Sequence, residues 1–355
     1  MSSSQVALKQ DQPMSIISIP DRSIWRTALG FAALVGAAIL LCAIDFRGQA
    51  ALWENVHWTL ATWGMTALGY LGWRLASGRT RLIRGIMTLG LASYSIGQIL
   101  WDVQWARGNN PFPAPSDVFY LGIAPFLLIG IILTFVKKTS AADETALRVD
   151  AATMFITCAT LIFAVYAPRT SSLTNIQTIV IVAYPVMFLA TAGNIFTGAL
   201  ARHSRFGSSS APYLLLMGLT MSGVCWVIWN SLALDMVIPP GTLVGYGFSV
   251  SHLVVGLGVA TWDSEESTNE TFIHWTNRII RVLPILTIPT AVVALEWGRN
   301  FSETLRFPII AGGFSVILLT VIRQSLLFWE RDNLLESERA ALQRAEMELT
   351  ERKKI

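Results

Sequence analysis

The sequence is poor in charged residues. Asp, Glu, Lys and Arg make up 14% of the 355 residues, and hydrophobic residues make up 53%. A soluble domain has about 25% charged residues, so this composition excludes an ordinary soluble protein and predicts one embedded in a lipid bilayer. The 13 tryptophans and 7 tyrosines agree with that prediction, because amphipathic rings collect at the lipid-water interfaces.

Cysteines and short catalytic motifs are also scarce. Cys42, Cys158 and Cys225 lie in apolar runs without CxxC spacing, which excludes a disulfide framework or a zinc site and predicts small packing residues. No GxSxG sequence, P-loop or glycine-rich phosphate loop is present, so we expect no enzymatic activity in these residues. The net charge of +3 is too small to favour nucleic acid as a partner, and no motif indicates a cofactor.

Ten apolar stretches reach the length of about 20 residues that a helix needs to cross a bilayer. We therefore predict an all-α polytopic membrane protein in three parts: a polar cytoplasmic tail (1–23), a ten-helix transmembrane domain (24–328) and a charged helical linker (329–355). The predicted crossings are 24–44, 52–76, 82–106, 116–136, 148–167, 176–200, 212–234, 241–261, 278–296 and 307–328.

Arginines and lysines in the short loops predict the orientation, because cytoplasmic loops hold the excess of positive charge. One set of alternate loops contains Arg79, Arg81, Arg84, Lys137, Lys138, Arg148, Arg202, Arg205, Arg278 and Arg281. The other set contains Arg47, Arg107, Arg169, Arg299 and Arg306. Placing the richer set inside puts both termini in the cytoplasm. We expect a multi-pass protein of the bacterial inner membrane.

A weak internal repeat accompanies the ten crossings. "GLASYSIGQILWD" at 90–102 aligns with "GLTMSGVCWVIWN" at 218–230, and a loop containing proline follows each copy. The alignment pairs Trp101 with Trp229 and Asp102 with Asn230. Its offset of 128 residues corresponds to an even number of predicted crossings, so both copies would have the same orientation. This predicts a parallel repeat, unlike the inverted repeats of many transporters.

The C-terminal segment changes character at about Phe328 and becomes rich in charge without glycine or proline. Its apolar residues recur every seven positions, which predicts a coiled-coil seam. The seam residues are Phe328, Leu335, Leu342 and Leu349. We expect a parallel homodimer formed through this helix, with a solvated single helix as the alternative. The heptads run to the last residues, so we expect the output domain or partner in the cytoplasm to lie outside these residues.

Four short segments resemble a family of bacterial membrane modules. They are "PAPSDVFYLGIAPFLLIGIIL" (113–133), "RVDAA" (148–152), "YP" (184–185) and "GLGVA" (256–260). Such multi-pass modules precede GGDEF or GGDEF-EAL domains of cyclic di-GMP signalling, and sometimes histidine kinases. The resemblance implies a complete protein that makes or degrades cyclic di-GMP. Related modules often carry acidic residues where this chain has Phe188, Leu189 and Asn230.

Polar and aromatic residues near the predicted outer helix ends form a candidate ligand pocket. Acids and aromatic rings together could bind a cationic or aromatic small molecule, although an aromatic belt and polar helix ends give the same pattern. The candidate residues are Trp53, His57, Trp101, Asp102, Trp105, Asp117, Tyr120, Trp229, Asn230 and Tyr246.

The loop "PFPAPSD" (111–117) precedes the fourth predicted crossing on the outer side. Its three prolines are expected to stiffen a short connection. Ser116 is predicted to be the N-cap of the next helix, and Asp117 to lie in the first turn, where a negative charge is favourable. The loop is therefore explained as a helix start even without a ligand.

Buried histidines and acids give few further indications of chemistry. His57, His203, His252 and His274 lack metal-binding spacing, so no metal site is predicted. We expect His252 to be a buried histidine that is hydrogen-bonded to Ser249 or Ser251. Asp150 and Arg148 lie at the inner start of the fifth predicted crossing, where an ion pair with a basic loop is one interpretation and an ordinary charge at a helix end is the preferred one.

Together these features favour a non-catalytic sensory module that detects an extracytoplasmic or membrane signal and relays it through the last helix. A secondary transporter or permease with ten crossings is the alternative. Proline-broken helices are compatible with transport, but it leaves the dimerising tail unexplained, and the sequence indicates no pair of deeply buried charges for a coupling path.

Overall fold

The described structure is built from α-helices. The computed structural model describes residues 21–109, 111–135, 141–170, 172–201, 211–235, 238–263, 278, 288–299, 301 and 303–352, and these contain no strand. Its helices are α1 (Arg22–Ala43), α2 (Ala50–Leu75), α3 (Gly78–Ala106), α4 (Pro115–Leu121), α5 (Ile123–Phe135), α6 (Ala141–Tyr166), α7 (Asn175–Ala201), α8 (Ala211–Leu234), α9 (Leu243–Ala260), α10 (Ile288–Gly298) and α11 (Glu303–Arg352).

Seven described helical segments are long and apolar enough to cross a membrane, which supports the predicted all-helical polytopic class. These segments are Arg22–Ala43, Pro115–Thr134, Arg148–Arg169, Asn175–Gly198, Ala211–Leu234, Leu243–Ala260 and Arg306–Met347. Residues 1–20 of the predicted tail (1–23) lie outside the described structure. The helix itself begins at Arg22, because the Asp21 carboxylate accepts a hydrogen bond from the Ser23 N–H (2.8 Å) and caps it.

α2 and α3 coincide with predicted crossings but are less apolar than the seven segments. They bury polar residues such as Glu54 and His57 in α2 and Gln98 in α3. Polar side chains at membrane depth face the interior of a bundle, so the lower hydropathy is typical of inner helices. For the predicted crossing 278–296, residues 279–287 lie outside the described structure and α10 covers the remainder.

Neighbouring helices close into a ring. α2 packs on α3, α3 on α4 and α5, α5 on α7, α7 on α8, α8 on α9, and α9 returns to α2. Their common core includes Met65, Met87, Leu127, Phe188 and Val255, all at most 1% exposed. Outside the ring, α1 covers α2 and α9, while α6 packs on α7 and also contacts α11.

Glycines allow the ring helices to approach closely. A Cβ on Gly256 of α9 would lie 2.6 Å from the Cα of Met65 in α2, and one on Gly72 of α2 would overlap the backbone of Ala260. On the other face of α9, a Cβ on Gly258 would lie 2.7 Å from the Leu215 nitrogen of α8. Small residues at such contacts favour packing between membrane helices, where backbones can touch.

α11 is an uninterrupted helix of 50 residues that continues through the predicted boundary between positions 328 and 329. Within the described residues its main partner is α6. Near the predicted cytoplasmic end of this contact, the Arg323 guanidinium lies 2.9 Å from the Asp150 carboxylate, and both side chains are largely buried. The interpretation of Asp150 as an ordinary helix-end charge is therefore wrong. Its partner is 173 residues away in sequence, beyond the reach of local patterns.

Candidate functional site

Polar residues form three clusters at the end of the ring where α3 and α8 end. The first joins α2, α3 and α4 through Asp102. Thr59 Oγ1 donates a hydrogen bond to one carboxylate oxygen of Asp102 (2.6 Å), and Gln98 Nε2 donates to the other (2.9 Å). The Tyr120 hydroxyl donates to Gln98 Oε1 (2.8 Å). Asp102 and Tyr120 are thus brought together through Gln98, which was absent from the predicted pocket.

The second cluster surrounds Asp117 and joins α4 to α7. One carboxylate oxygen of Asp117 accepts a hydrogen bond from the Ala114 N–H (2.6 Å), and the other accepts one from the Tyr184 hydroxyl. Asp117 therefore lies in the first turn of α4, as predicted, and also connects two helices. Ser116 is not the N-cap, because Ala114 occupies that position and Pro115 begins the helix. The buried Ser116 hydroxyl instead donates to Gln104 Oε1 (3.3 Å).

The third cluster lies between α2 and α9. His57 Nδ1 is 2.8 Å from Ser249 Oγ, and its ring lies edge-on to Tyr246 at 5.6 Å between centroids. Trp58 Nε1 donates to the Gly245 carbonyl (3.0 Å), and its ring meets Trp229 at 5.4 Å. His57 and Tyr246 are therefore neighbours, and Trp58 connects them to Trp229.

The remaining candidate residues have separate surroundings. Trp101 Nε1 donates to Asn55 Oδ1 on α2 (3.0 Å), and Asn230 donates to the Ile181 carbonyl on α7 (2.8 Å). The Trp53 ring contacts Phe46 at 6.3 Å, and Trp105 is half-buried near the end of α3. The predicted residues thus share one end of the ring but are divided among neighbouring helix pairs.

Below these clusters an aromatic core fills the ring. Tyr94 lies 4.6 Å from Tyr120 and 4.7 Å from His252 between ring centroids, and Tyr184 stacks on Trp226 at 3.8 Å. His252 is 3% exposed, and neither ring nitrogen has a hydrogen-bond partner. The predicted bonds to its serines are therefore wrong.

Those serines have other partners. Ser249 Oγ lies close to His57, while the Ser251 hydroxyl donates to the Phe248 carbonyl (2.8 Å). In the part of the chain that the structure describes, no three histidine, cysteine or acidic side chains are placed to hold a metal ion. Cys42 and Cys225 are buried and Cys158 is half-buried, each as a free thiol.

The arrangement couples helices through polar contacts inside an apolar bundle. Asp102 and Asp117 each accept two hydrogen bonds, and their partners lie on α2, α3 and α7 and at the residue that caps α4. In surroundings of low dielectric, satisfied polar networks favour one arrangement, and partly broken ones are costly. The site therefore favours one discrete packing over a continuous range of shapes.

Replacing Asp117 with asparagine tests the link between α4 and α7. Asparagine keeps one carbonyl acceptor and loses the second, so we expect the free energy of unfolding to fall by about 1–2 kcal/mol while the fold persists. The matched variant Tyr184→Phe removes the partner hydroxyl. Thermal unfolding in detergent should show that the double variant loses less than the sum of the single losses, whereas strict additivity would contradict a shared interaction.

The ring, its buried polar clusters and its apolar outer helices define an all-helical membrane protein. No family of known proteins matches the sequence, and no solved structure matches the chain. The chain is similar to an uncharacterized protein of Methanocaldococcus jannaschii, with 30% identity over 111 residues, which cover 31% of this chain and 36% of that protein. The similarity therefore spans about a third of that relative's length.

Proposed function

We propose that this protein is a non-catalytic sensory module that works as a homodimer and relays a signal through α11. In this proposal ten helices cross the bacterial inner membrane, both termini are cytoplasmic, and the signal is an extracytoplasmic or membrane cue. The resemblance of residues 113–133 to membrane modules of cyclic di-GMP proteins favours a GGDEF-type output domain outside these residues.

The observation that carries the proposal is the exposed face of α11. Large apolar residues recur there every seven positions, both in the predicted crossing and beyond it. They are Phe307 (73% exposed), Phe314 (63%), Val321 (55%), Phe328 (59%), Leu335 (37%) and Leu342 (65%). Leu349 continues the spacing, but its side chain lies outside the described structure. In a monomer the first three residues would face lipid, whereas Leu335 and Leu342 would face water.

Pairing with a second copy removes that exposure. Burial of apolar area contributes about 25 cal/mol per Å², and a seven-residue repeat is the spacing that keeps one face of two supercoiled helices together. A continuous seam in the membrane and the cytoplasm also makes α11 a single rigid element. A change in the packing of the bundle can therefore reach the cytoplasm as a rotation or shift of α11.

The buried pair of Arg323 and Asp150 supports a connection between the bundle and α11. The sequence indicated no deeply buried pair of charges, but this pair lies between α6 and α11 (2.9 Å). The pair lies on the side of α6 that faces away from the ring. It is therefore better placed to hold α11 than to line a transport path. A ligand that favours one packing of the ring would shift the population of α11 positions through α6.

Helix positions support the proposed parallel repeat. The offset of 128 residues seen in the sequence also separates the ends of α3 and α8, at Ala106 and Leu234, and the starts of α4 and α9, at Pro115 and Leu243. The contacts α2–α3, α3–α5 and α5–α7 correspond to α7–α8, α8–α9 and α9–α2. This correspondence favours a ring made of two similar halves, with the candidate small-molecule site at one end.

Deletions in α11 test the relay. A GGDEF domain fused after Arg352 should give normal cyclic di-GMP production when residues 336–342 are deleted, because seven residues preserve the seam. Deleting residues 336–339 breaks the seven-residue register and rotates the following seam by about 40–50°, so it should reduce production at least tenfold. Equal production from both deletions would contradict the coiled-coil relay.

Cysteine crosslinking provides the matched structural control. In a variant whose three native cysteines are replaced by alanine, Leu335→Cys should form a disulfide between copies in membranes. Asn333→Cys, on the opposite face of the same helix, should form far less. Similar crosslinking at both positions would indicate random collision instead of a seam.

A further inference from the structure

An apolar groove runs between α2 and α3 on the outer surface of the ring. It has a volume of about 770 Å³ and is lined on the α2 side by Trp63, Ala67, Tyr70 and Trp73, and on the α3 side by Leu82, Gly85, Ile86, Leu89, Ala92, Ile96 and Ile99. Between Leu82 and Ile99 a helix rises about 25 Å. The groove is therefore long enough for an extended hydrocarbon chain parallel to the helices.

The groove floor offers few polar groups to a ligand. Thr66 Oγ1 and Ser95 Oγ lie 2.8 Å apart, and the Ser95 hydroxyl donates to the Thr62 carbonyl (2.8 Å). The Thr88 hydroxyl donates to the Arg84 carbonyl (2.6 Å). Because the hydroxyls are satisfied within the two helices, an apolar chain can occupy the groove without leaving buried polar groups unpaired.

Two arginines stand at one end of the groove, each over an aromatic ring. The Arg81 guanidinium lies 5.4 Å from the Trp73 ring centre, and the Arg74 guanidinium lies 5.9 Å from the Tyr70 ring centre. Both arginines are exposed, and no salt bridge within the described residues joins either to an acid. Gly85 provides room for the Trp73 indole, since a Cβ there would lie 3.0 Å from it.

We propose that this groove binds one acyl chain of an anionic phospholipid, whose phosphate contacts Arg74 and Arg81. The two features fit one molecule: an apolar channel takes the chain, and fixed positive charge at its predicted cytoplasmic end takes the headgroup. Arginine presents several donors that match phosphate oxygens, and anionic lipids are attracted to basic residues next to the membrane on the cytoplasmic side. This site is independent of the proposed sensory role.

A second copy of the chain fits the groove less well. In a symmetric dimer with both copies in the same orientation, the same surface meets itself. The arginines of the two copies would then approach each other at the same membrane depth, and like charges repel. An anionic headgroup removes this repulsion because it supplies the opposite charge.

Fluorescence quenching by brominated lipid tests the proposal. The full chain is reconstituted in phosphatidylcholine vesicles with increasing fractions of either brominated phosphatidylglycerol or brominated phosphatidylcholine. Trp73 emission is obtained by subtracting the spectrum of the Trp73→Phe variant. We expect half-maximal quenching at a fraction of brominated phosphatidylglycerol at least fivefold lower than of brominated phosphatidylcholine, which corresponds to about one arginine contact.

Two variants separate headgroup recognition from chain binding. Arg74→Gln with Arg81→Gln should remove the preference for phosphatidylglycerol, while the matched pair Arg22→Gln with Arg26→Gln, at the same predicted membrane surface, should keep it. Ala92→Phe should fill the groove and weaken quenching by both lipids.

Two results would overturn the proposal. Equal quenching of the unmodified chain by both lipids would mean ordinary contact with bulk lipid. Absence of quenching by either, together with efficient Leu89→Cys crosslinking between copies, would mean that a second copy covers the groove. The comparison on the unmodified chain requires no arginine or groove-filling variant, so misfolding of those variants would not affect it.

Discussion

Replacing Arg323 with methionine is expected to lower the free energy of unfolding by about 3–5 kcal/mol. The substitution keeps most of the apolar length of the side chain but leaves the Asp150 carboxylate buried without its partner. Asp150 accepts the Arg323 hydrogen bond at 2.9 Å, and both side chains are at most 15% exposed. Thermal unfolding in detergent, followed by circular dichroism, measures the change.

The double variant Arg323→Met with Asp150→Leu distinguishes a charge effect from a packing effect. Removing both charges leaves no unpaired group, so we expect most of the lost stability to return, because an apolar pair can replace a buried ion pair at little cost. Arg331→Met is the matched control, since Arg331 is exposed on the same helix. It should change stability by less than about 0.5 kcal/mol. A double variant as unstable as Arg323→Met alone would contradict this explanation.

Replacing Gly256 with alanine is expected to separate α2 from α9. The new Cβ would lie 2.6 Å from the Cα of Met65 and 2.8 Å from its carbonyl oxygen, and backbone atoms cannot move aside as a flexible side chain can. Overpacking of this kind costs about 1–3 kcal/mol, and Gly256→Leu should prevent the ring from closing. Thermal unfolding and the elution volume in size-exclusion chromatography measure both outcomes.

Gly36 provides a control at which alanine is not expected to lower stability. A Cβ at Gly36 in α1 would have nothing within 4 Å, so alanine there adds helix propensity without a clash. We expect Gly36→Ala to leave stability unchanged or to raise it by up to about 1 kcal/mol. If Gly256→Ala behaved like Gly36→Ala, the close approach of α2 and α9 would not be a feature of the folded protein.

Local patterns in the sequence predicted the helical class and many helix positions. The predicted crossing 212–234 ends where α8 ends, and the predicted crossing 82–106 ends where α3 ends. Such stretches can be predicted from the sequence because a helix needs about 20 apolar residues to cross a bilayer. The prolines before Asp117 correctly indicated a helix start, but they misplaced its cap by two residues, because Pro115 itself occupies the first helical position.

Contacts between distant segments could not be predicted from local patterns. Asp150 and Arg323 are 173 residues apart, and Asp117 and Tyr184 are 67 apart, so their pairing depends on how whole helices pack. Ser249 was expected near His252 because both are on α9, but it lies against His57 on α2. Whether Ser249 contacts His252 or His57 depends on which helix packs against α9, and a local sequence pattern does not contain that information.

Gln98 could have been found from spacing alone. It is four residues before Asp102 on α3, where two side chains on one helix face can meet, and it joins Asp102 to Tyr120. Tyr184 lies outside the predicted pocket, because its role depends on the packing of α7 beside α4, which no local pattern contains.

The order of helices in the ring determines where a dimer would leave free surface. α6 packs on α7, and Tyr166 at its end and Arg169 just after it donate hydrogen bonds to carbonyls of α8. The groove between α2 and α3 lies across the ring from these contacts. Two copies joined through α11 would therefore have their grooves at the far ends of an elongated particle, both open to the bilayer. A lipid could then enter or leave the groove without disturbing the dimer contact. The lipid composition of the membrane would therefore not affect dimer formation through this groove.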